Sequence, residues 1–255
     1  MALRLSYRPP FDWLQLAAAL AKRAITGVEH VDASGYTRAV AIPDGFATIR
    51  VAPLADENAL MLRVRGAPPS ALLALSSNAR RMFDLAADPA QIAATLRRDP
   101  KLAPSVRRRP GLRIPGAWDA YECAVREIAG SAGTQRLVRR LGEKLPVNVD
   151  GLTHLFPTAP KLAAARFDDL ARARAMKLRG FARAVADGQF DFSGPLDPLI
   201  TSLAAIAGDR VAQTVALHAL GEPDALPVSA LAARAEAWRP WRSYGYVYVG
   251  AEDDG

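Results

Sequence analysis

The sequence predicts an α+β protein in which a small N-terminal antiparallel sheet with helices precedes an all-helical part. Between residues 36 and 64, apolar and polar residues alternate in short runs that turn residues separate, a pattern typical of antiparallel strands. Beyond residue 119 the alternation disappears, and apolar residues recur at helical spacing. The two parts meet at a basic segment that contains prolines. We therefore predict one domain of residues 1–105 and a second of residues 106–255.

The N-terminal elements follow from periodicity and turn chemistry. Asp12 is placed to cap a first helix, whose apolar positions extend from Trp13 to Ala24. The tripeptide Pro43-Asp44-Gly45 predicts a turn between two strands. Three or four strands and two more helices complete this part, with strands within residues 36–42, 46–51 and 60–64 and helices at residues 70–83 and 89–98.

In the second part every periodic segment predicts a helix. These helices are expected at residues 119–129, 134–145, 159–164, 167–175, 178–186, 197–207, 209–220 and 228–238. Trp238 and Trp241 are predicted to lie in the core. The alternation from Tyr246 to Val249 predicts half-buried packing.

The charge of the chain favours an anionic partner, since the formal net charge is +7. Between Arg97 and Arg113 seven basic residues stand against the single acid Asp99, in a segment that the prolines mark as an exposed connection. This segment predicts either phosphate contacts or a merely solvated basic linker.

Several classes of protein are not expected. Cys123 is the single cysteine, and the three histidines are scattered without metal-ligand spacing, so no metal or other cofactor is predicted. The most apolar stretch, Trp13–Ala21, is far shorter than the roughly 20 residues that cross a bilayer. Asp12 stands where the apolar core of a signal peptide would begin. We therefore predict a monomeric cytoplasmic protein without membrane contact.

Four blocks of sequence, in the same order along the chain, resemble bacterial DNA-3-methyladenine glycosylase II of the helix-hairpin-helix superfamily. They include YRPPFDW at residues 7–13, RPGLRIPG at 109–116, FPT at 156–158 and EAWRPWRSY at 236–244. The resemblance implies a helical domain that grips double-stranded DNA through a helix-hairpin-helix and excises alkylated bases. Such enzymes flip the damaged base out of the duplex, stack it on aromatic side chains and stabilise the developing sugar cation with one aspartate.

The hairpin implied by the resemblance corresponds to Leu203–Gln213. Glycines in such a hairpin bring backbone amides close to phosphate, but here alanine stands at both family glycine positions and Asp209 adds an anion. A weakened phosphate clamp and an ordinary helix-turn-helix connection both fit this stretch. The residues predicted to contact DNA are Ala207, Gly208 and Arg210 of the hairpin and Arg107, Arg108, Arg109 and Arg113 of the basic segment.

The catalytic parts implied by the resemblance are largely missing. Its pocket aromatics fall near Asp209 or Arg210, at Thr214 and close to Gly250, and its wedge loop is shortened to small residues such as Ser131. The catalytic aspartate is expected just past a proline such as Pro227, where the chain instead reads Val228-Ser229-Ala230-Leu231 and about a dozen family residues are absent. Asp224 and Asp209 are the candidate replacements, and Glu222 is a third.

Three functional hypotheses follow. The first is a glycosylase-like protein that binds DNA and has lost or strongly impaired base excision, and the second is an active, divergent N-glycosylase with its carboxylate at an unexpected position. The third is a scaffold that is retained for protein contacts.

Overall fold

The computed structural model describes residues 1–43, 45–168, 170–192, 194–225 and 232–250, and its N-terminal part is a five-stranded antiparallel sheet. The predicted sheet is confirmed. Two edge strands extend it beyond the prediction, and at five and four residues both are too short to show a clear alternation in the sequence. The strands are Ala2–Ser6 (β1), Glu29–Asp32 (β2), Gly35–Ile42 (β3), Gly45–Pro53 (β4) and Ala59–Arg65 (β5), in the spatial order β1-β5-β4-β3-β2.

The sheet buries one face under the first two long helices, Trp13–Ala21 (α1) and Leu72–Met82 (α2). The predicted alternation holds on β5, where Leu60, Leu62 and Val64 are buried and Arg63 and Arg65 are exposed. The predicted cap is also present, because the Asp12 carboxylate accepts a hydrogen bond from Gln15 N at 2.9 Å.

The basic segment is more ordered than predicted. After the helix Pro89–Leu96 (α3), residues Ala103–Arg108 form a short helix (α4). Leu102 and Val106 are fully buried and anchor this helix to the core. The segment therefore exposes only some of its side chains, because apolar residues placed between the arginines face inwards.

The second part is mainly helical, as predicted, and contains one unpredicted hairpin. The helices predicted at residues 167–175 and 178–186 are a single helix, Arg172–Ala186, and residues 228–231 of the last predicted helix lie outside the described residues. Gly130, with a φ of 72°, kinks the long helix Ala120–Leu141 (α5) where two separate helices were expected. The strands Lys144–Val149 (β6) and Leu152–His154 (β7) follow, and Leu152 and Leu155 pack on Ala39 of the sheet. The other helices here are Ala159–Ala164 (α6), Arg172–Ala186 (α7), Leu196–Ala207 (α8) and Asp209–His218 (α9).

The C-terminal elements pack back onto the middle of the chain. They are Ala232–Ala235 (α10), a single 3-10 turn at Glu236–Trp238, and Arg242–Gly250 (α11), a helix where alternation had indicated half-buried packing. Trp238 is fully buried as predicted and Trp241 is partly buried, both in a cluster that includes Leu96 and Leu102. This cluster joins residues from both sides of position 105. None of the described helices is long and apolar enough to span a membrane.

Candidate functional site

The predicted hairpin is a tight turn between α8 and α9. Gly208 adopts a φ of 93°, which a residue with a side chain rarely adopts, so this single glycine preserves the turn. The first amides to donate hydrogen bonds within α9 are those of Val211 and Ala212, at 3.0 and 3.1 Å from Gly208 O. The amides of Asp209 and Arg210 precede them at the positive end of the helix, where backbone N–H groups favour an anion.

The side chains of the hairpin differ in what they can reach. Ala207 is fully buried in the helical core, so it can offer DNA only its backbone. Asp209 and Arg210 are both exposed. Arg210 Nε lies 2.6 Å from Glu127 Oε1 of α5, with the Arg210 side chain 85% exposed and that of Glu127 21% exposed. Arg210, which was predicted to contact a DNA phosphate, is therefore paired with a carboxylate of the protein itself.

Helix α7 brings additional positive charge to the hairpin. It carries five basic residues and no acidic one. A Cβ built on Gly208 would lie 3.1 Å from Lys177 Nζ, and one built on Gly130 would lie 3.2 Å from a terminal nitrogen of Arg174. We call Arg174, Lys177 and Arg210 the hairpin patch. Its α7 members were missed by sequence reasoning, since the uneven charge of residues 172–186 was visible but their position beside the turn was not.

The arginines of the basic segment separate into two groups. Arg107 and Arg108 are exposed and Arg109 is half-buried, whereas Arg113 is fully buried. A terminal nitrogen of Arg113 donates hydrogen bonds to Arg8 O at 2.7 Å and Pro10 O at 3.0 Å. Arg113 must therefore be removed from the predicted DNA-contacting set, because its guanidinium is used to hold the N-terminal segment.

Of the three carboxylates proposed to replace the catalytic aspartate, Asp224 is paired with arginines, Glu222 accepts a backbone hydrogen bond and Asp209 is exposed. Asp224 accepts hydrogen bonds from Arg239 and, at 2.8 Å, from Arg242 Nε, so its charge is neutralised within the C-terminal block. Glu222 accepts a hydrogen bond from Asp224 N at 3.1 Å. Asp209 is exposed on the first turn of α9. The segment 226–231, which includes the position past Pro227, lies outside the described residues.

A cavity of about 260 Å³ lies among the segment 116–118, the β2 edge, α5 and α9. Thr214 and Ser131 both line it, and these are the positions that the resemblance assigns to a base-stacking aromatic and to the wedge loop. The cavity therefore occupies the place expected for a base pocket. Trp118 lines it as well, with the guanidinium carbon of Arg38 4.7 Å from its ring centroid.

Two carboxylates line this cavity, and both are paired. Glu29 is buried and accepts hydrogen bonds from Arg126 and from the Tyr36 hydroxyl, each at 2.6 Å. Burial alone would raise the pKa of the Glu29 carboxyl, but Arg126 and Arg38 outweigh burial and lower this pKa to about 2. The second carboxylate, Glu127, is the partner of Arg210. The described lining thus offers no unpaired anion to a developing cation.

Two further titratable groups of the cavity, His218 and Cys123, are neutral at pH 7. His218 Nδ1 lies 2.9 Å from Pro115 O, and burial, aided by the nearby Arg23 charge, lowers the His218 pKa to about 4. Burial raises the pKa of the Cys123 thiol to about 12, so this cysteine is a poor nucleophile. No group of three or more His, Cys, Asp or Glu residues within the described ranges is placed to hold a metal ion.

Comparisons with known proteins agree with this architecture. A family model described as the AlkA N-terminal domain matches residues 2–119. The chain is 30% identical over 282 residues to a probable bifunctional transcriptional activator/DNA repair enzyme AlkA of Mycobacterium tuberculosis (strain CDC 1551 / Oshkosh), an alignment that covers 98% of this chain and 56% of that protein. The chain therefore spans about half the length of that curated relative.

Two further matches extend over most of both chains. The chain is 29% identical over 275 residues to DNA-3-methyladenine glycosylase 2 of Escherichia coli (strain K12), which covers 96% of this chain and 95% of that protein. The solved structure of MBOgg1 in complex with a low affinity DNA ligand is similar with a TM-score of 0.71 at 18% identity, and the match covers 100% of this chain and 96% of that one. At that identity the likeness shows that the two chains share a fold, and no more.

Proposed function

We propose, from the premise that this chain is a homologue of AlkA and DNA-3-methyladenine glycosylase 2, that it is a glycosylase-like protein that binds double-stranded DNA through the α8–α9 hairpin and has lost or strongly impaired base excision. The observation that carries the proposal is a retained hairpin turn with a basic surround, beside a cavity whose carboxylates are all paired.

DNA binding is supported by the hairpin patch. Gly208 keeps the turn geometry, and the amides of Asp209 and Arg210 stand at the start of α9. Lys177 adds a flexible cation beside Gly208, and Arg174 adds another beside Gly130 at the kink of α5. Cations that contact phosphates displace counterions condensed on the DNA. This release of counterions is the main source of affinity when binding does not depend on the DNA sequence.

Impaired excision is supported by the chemistry of the cavity. A preorganised anion that stabilises a developing charge contributes several kcal/mol to a reaction barrier, so its loss costs orders of magnitude in rate. Glu29 and Glu127 are committed to arginines, and Asp224 is held by two more. The segment 226–231 reads LPVSAL, so it contains no carboxylate at all.

One observation favours the alternative, an active divergent N-glycosylase. Glu127 lines the cavity and is held by Arg210, the same residue that the hairpin would present to a phosphate. A phosphate that attracts Arg210 would leave the Glu127 carboxylate unpaired at the cavity. In this alternative Glu127 replaces the missing aspartate, ahead of Asp209 and Asp224.

Duplex binding is tested by fluorescence anisotropy on a short unmodified duplex over a series of salt concentrations. We expect affinity to fall steeply with salt, and we expect Lys177→Gln and Arg210→Gln each to reduce the salt slope by about 0.9, the value for one lost phosphate contact. Arg65→Gln, which removes an exposed charge from β5 of the sheet, is the matched control and should leave the slope unchanged. Absence of binding even at low salt would favour the scaffold hypothesis instead.

Glu127→Gln is expected to increase duplex affinity several-fold, because it releases Arg210 and removes an anion beside the hairpin. The control is Glu57→Gln, which breaks another Arg–Glu pair, Arg4–Glu57 at 2.5 Å, at the N-terminal sheet. In an Arg210→Gln background the gain should shrink. An equal gain with and without Arg210 would show that the two residues do not compete for phosphate.

Excision is tested by counting abasic sites in alkylated duplex DNA. We expect the wild-type protein to produce them no faster than spontaneous loss of the alkylated bases. Excision well above that rate would contradict the proposal, and its disappearance in Glu127→Gln but not in Asp224→Asn would identify Glu127 as the carboxylate of the alternative.

A further inference from the structure

Arg23 is a half-buried cation that forms no ion pair with the described residues. It lines the cavity, and one of its terminal nitrogens donates a hydrogen bond to Gly116 O. No ion pair found within the described ranges includes Arg23, whereas the neighbouring Arg126 has two. Burial, and then repulsion from Arg126, lowers the Arg23 pKa. Since a charge that is partly removed from water is stabilised by hydrogen-bond acceptors, a guanidinium without an ion pair at a cavity wall indicates a ligand that supplies such acceptors.

His218 presents the complementary group. Its Nδ1 lies 2.9 Å from Pro115 O, and a carbonyl oxygen can only accept, so Nδ1 carries the ring hydrogen. In the neutral ring Nε2 is then an acceptor. His218 lines the cavity, and its own carbonyl accepts a hydrogen bond from Ala117 N, which fixes α9 against the same loop.

The Arg23 guanidinium lies close enough to the His218 ring for its charge to help lower the His218 pKa. Arg23 is anchored on the carbonyl of Gly116 and His218 on that of Pro115, and these are consecutive residues of one loop. An acceptor beside a donor matches a ligand edge with a ring N–H next to a carbonyl. This is the lactam edge of an oxo-purine or an oxo-pyrimidine. At about 260 Å³ the cavity is just below the range of ordinary ligand pockets, and this size suits a single base.

We propose that this cavity binds a neutral nucleobase by its lactam edge, with the ring N–H donated to His218 Nε2 and the ring carbonyl accepting from Arg23, and that it disfavours cationic alkylated bases. The proposal rests on the proposed function only in taking the ligand to be a base. Arg23 would repel a cation, and Arg38 already lies over the Trp118 ring on which such a base would stack.

Three nucleosides of similar size test the edge directly by isothermal titration calorimetry. Inosine carries the lactam, adenosine carries the reversed donor and acceptor, and 1-methyladenosine carries a positive charge. We expect inosine to bind at least about tenfold more tightly than adenosine, since each mismatched polar contact leaves buried groups unpaired, and 1-methyladenosine to bind more weakly than inosine. Equal binding of inosine and adenosine, or a preference for 1-methyladenosine, would overturn the proposal, as would no binding of inosine either free or in DNA.

A second experiment distinguishes a base flipped out of DNA from a free nucleoside. Fluorescence anisotropy compares binding to two duplexes that carry one deoxyinosine or one deoxyadenosine at the same position. A preference for the deoxyinosine duplex indicates a flipped base as the ligand, whereas a preference confined to free inosine indicates a free nucleoside. Unmodified duplex binding without any inosine preference contradicts this inference while leaving the proposed function intact.

Two variants test the assigned atoms. Arg23→Gln removes the charge, and His218→Asn keeps an N–H for Pro115 O while removing Nε2. In each variant the affinity for inosine should fall to about the affinity for adenosine. In the control Arg65→Gln the preference for inosine should be unchanged. Thermal unfolding curves identify a variant that fails to fold, and in that case the discrimination among nucleosides by the wild-type protein still decides.

Discussion

Replacing Arg38 with methionine is expected to lower the free energy of unfolding by about 3–5 kcal/mol, the cost of removing one partner from a buried ion pair. Arg38 stands on the core face of β3, where both neighbouring positions on the same face, Tyr36 and Val40, are buried and apolar in character. Its guanidinium donates to Glu122 at 2.7 Å, and its ion pair with Glu29 spans 3.8 Å. Methionine is similar in volume, but it leaves Arg126 as the one arginine among the described residues that is paired with Glu29 and Glu122.

The matched control is Arg4→Met, which breaks an exposed pair whose side chains are 54% and 45% accessible. Such surface pairs contribute about 0–1 kcal/mol, so this variant should unfold almost as wild type does. Urea unfolding followed by circular dichroism measures both. An Arg38→Met protein as stable as Arg4→Met would show that the network is not required for stability.

The same network predicts how stability depends on acid. The folded-state pKa of Glu29, about 2, lies below its ordinary value of 4.5, so its contribution is present above pH 4.5 and is lost as pH falls towards 2. Arg38→Met removes one of the two cations that lower this pKa. The acid-unfolding midpoint of the variant is therefore expected at a higher pH than that of wild type, and superimposable acid titrations would contradict this explanation.

Trp238→Ala is expected to cost about 3–5 kcal/mol, as for other large buried aromatic side chains. The ring is fully buried between α3, α4 and α11, and Nε1 donates to Asp99 Oδ2 at 2.9 Å. Arg234 binds the same carboxylate and lies over the ring, 5.2 Å from its centroid. The truncation thus opens a cavity and also removes a partner from Asp99.

Two further variants test whether the loss of stability comes from the buried position of the Trp238 ring. Trp241→Ala should cost clearly less, because Trp241 is only partly buried. Gly245→Ala should also destabilise the protein, since a Cβ there would overlap the Trp238 ring. Thermal unfolding of the three variants gives the order, and an equal loss for both tryptophans would mean that burial of Trp238 does not explain its contribution.

Local signals in the sequence were sufficient for much of this protein. Asp12 caps α1 because a carboxylate at that position satisfies a free amide of the first turn, and β3 to β5 follow from a two-residue alternation. The absence of a carboxylate from residues 226–231 is likewise a fact of the sequence. The glycosylase homology, confirmed by the comparisons, was recognisable from four ordered blocks.

Only the tertiary structure decided which charges are available. Arg113 and Arg107 look alike in the sequence, but only Arg113 is buried, because the N-terminal segment supplies carbonyls that satisfy its guanidinium. Lys177 becomes part of the hairpin surface because α7 packs beside α8. Arg23 and His218, 195 positions apart in the chain, face the same cavity because adjacent carbonyls of one loop hold them. Such pairings depend on long-range packing, for which neither residue type nor spacing carries a signal.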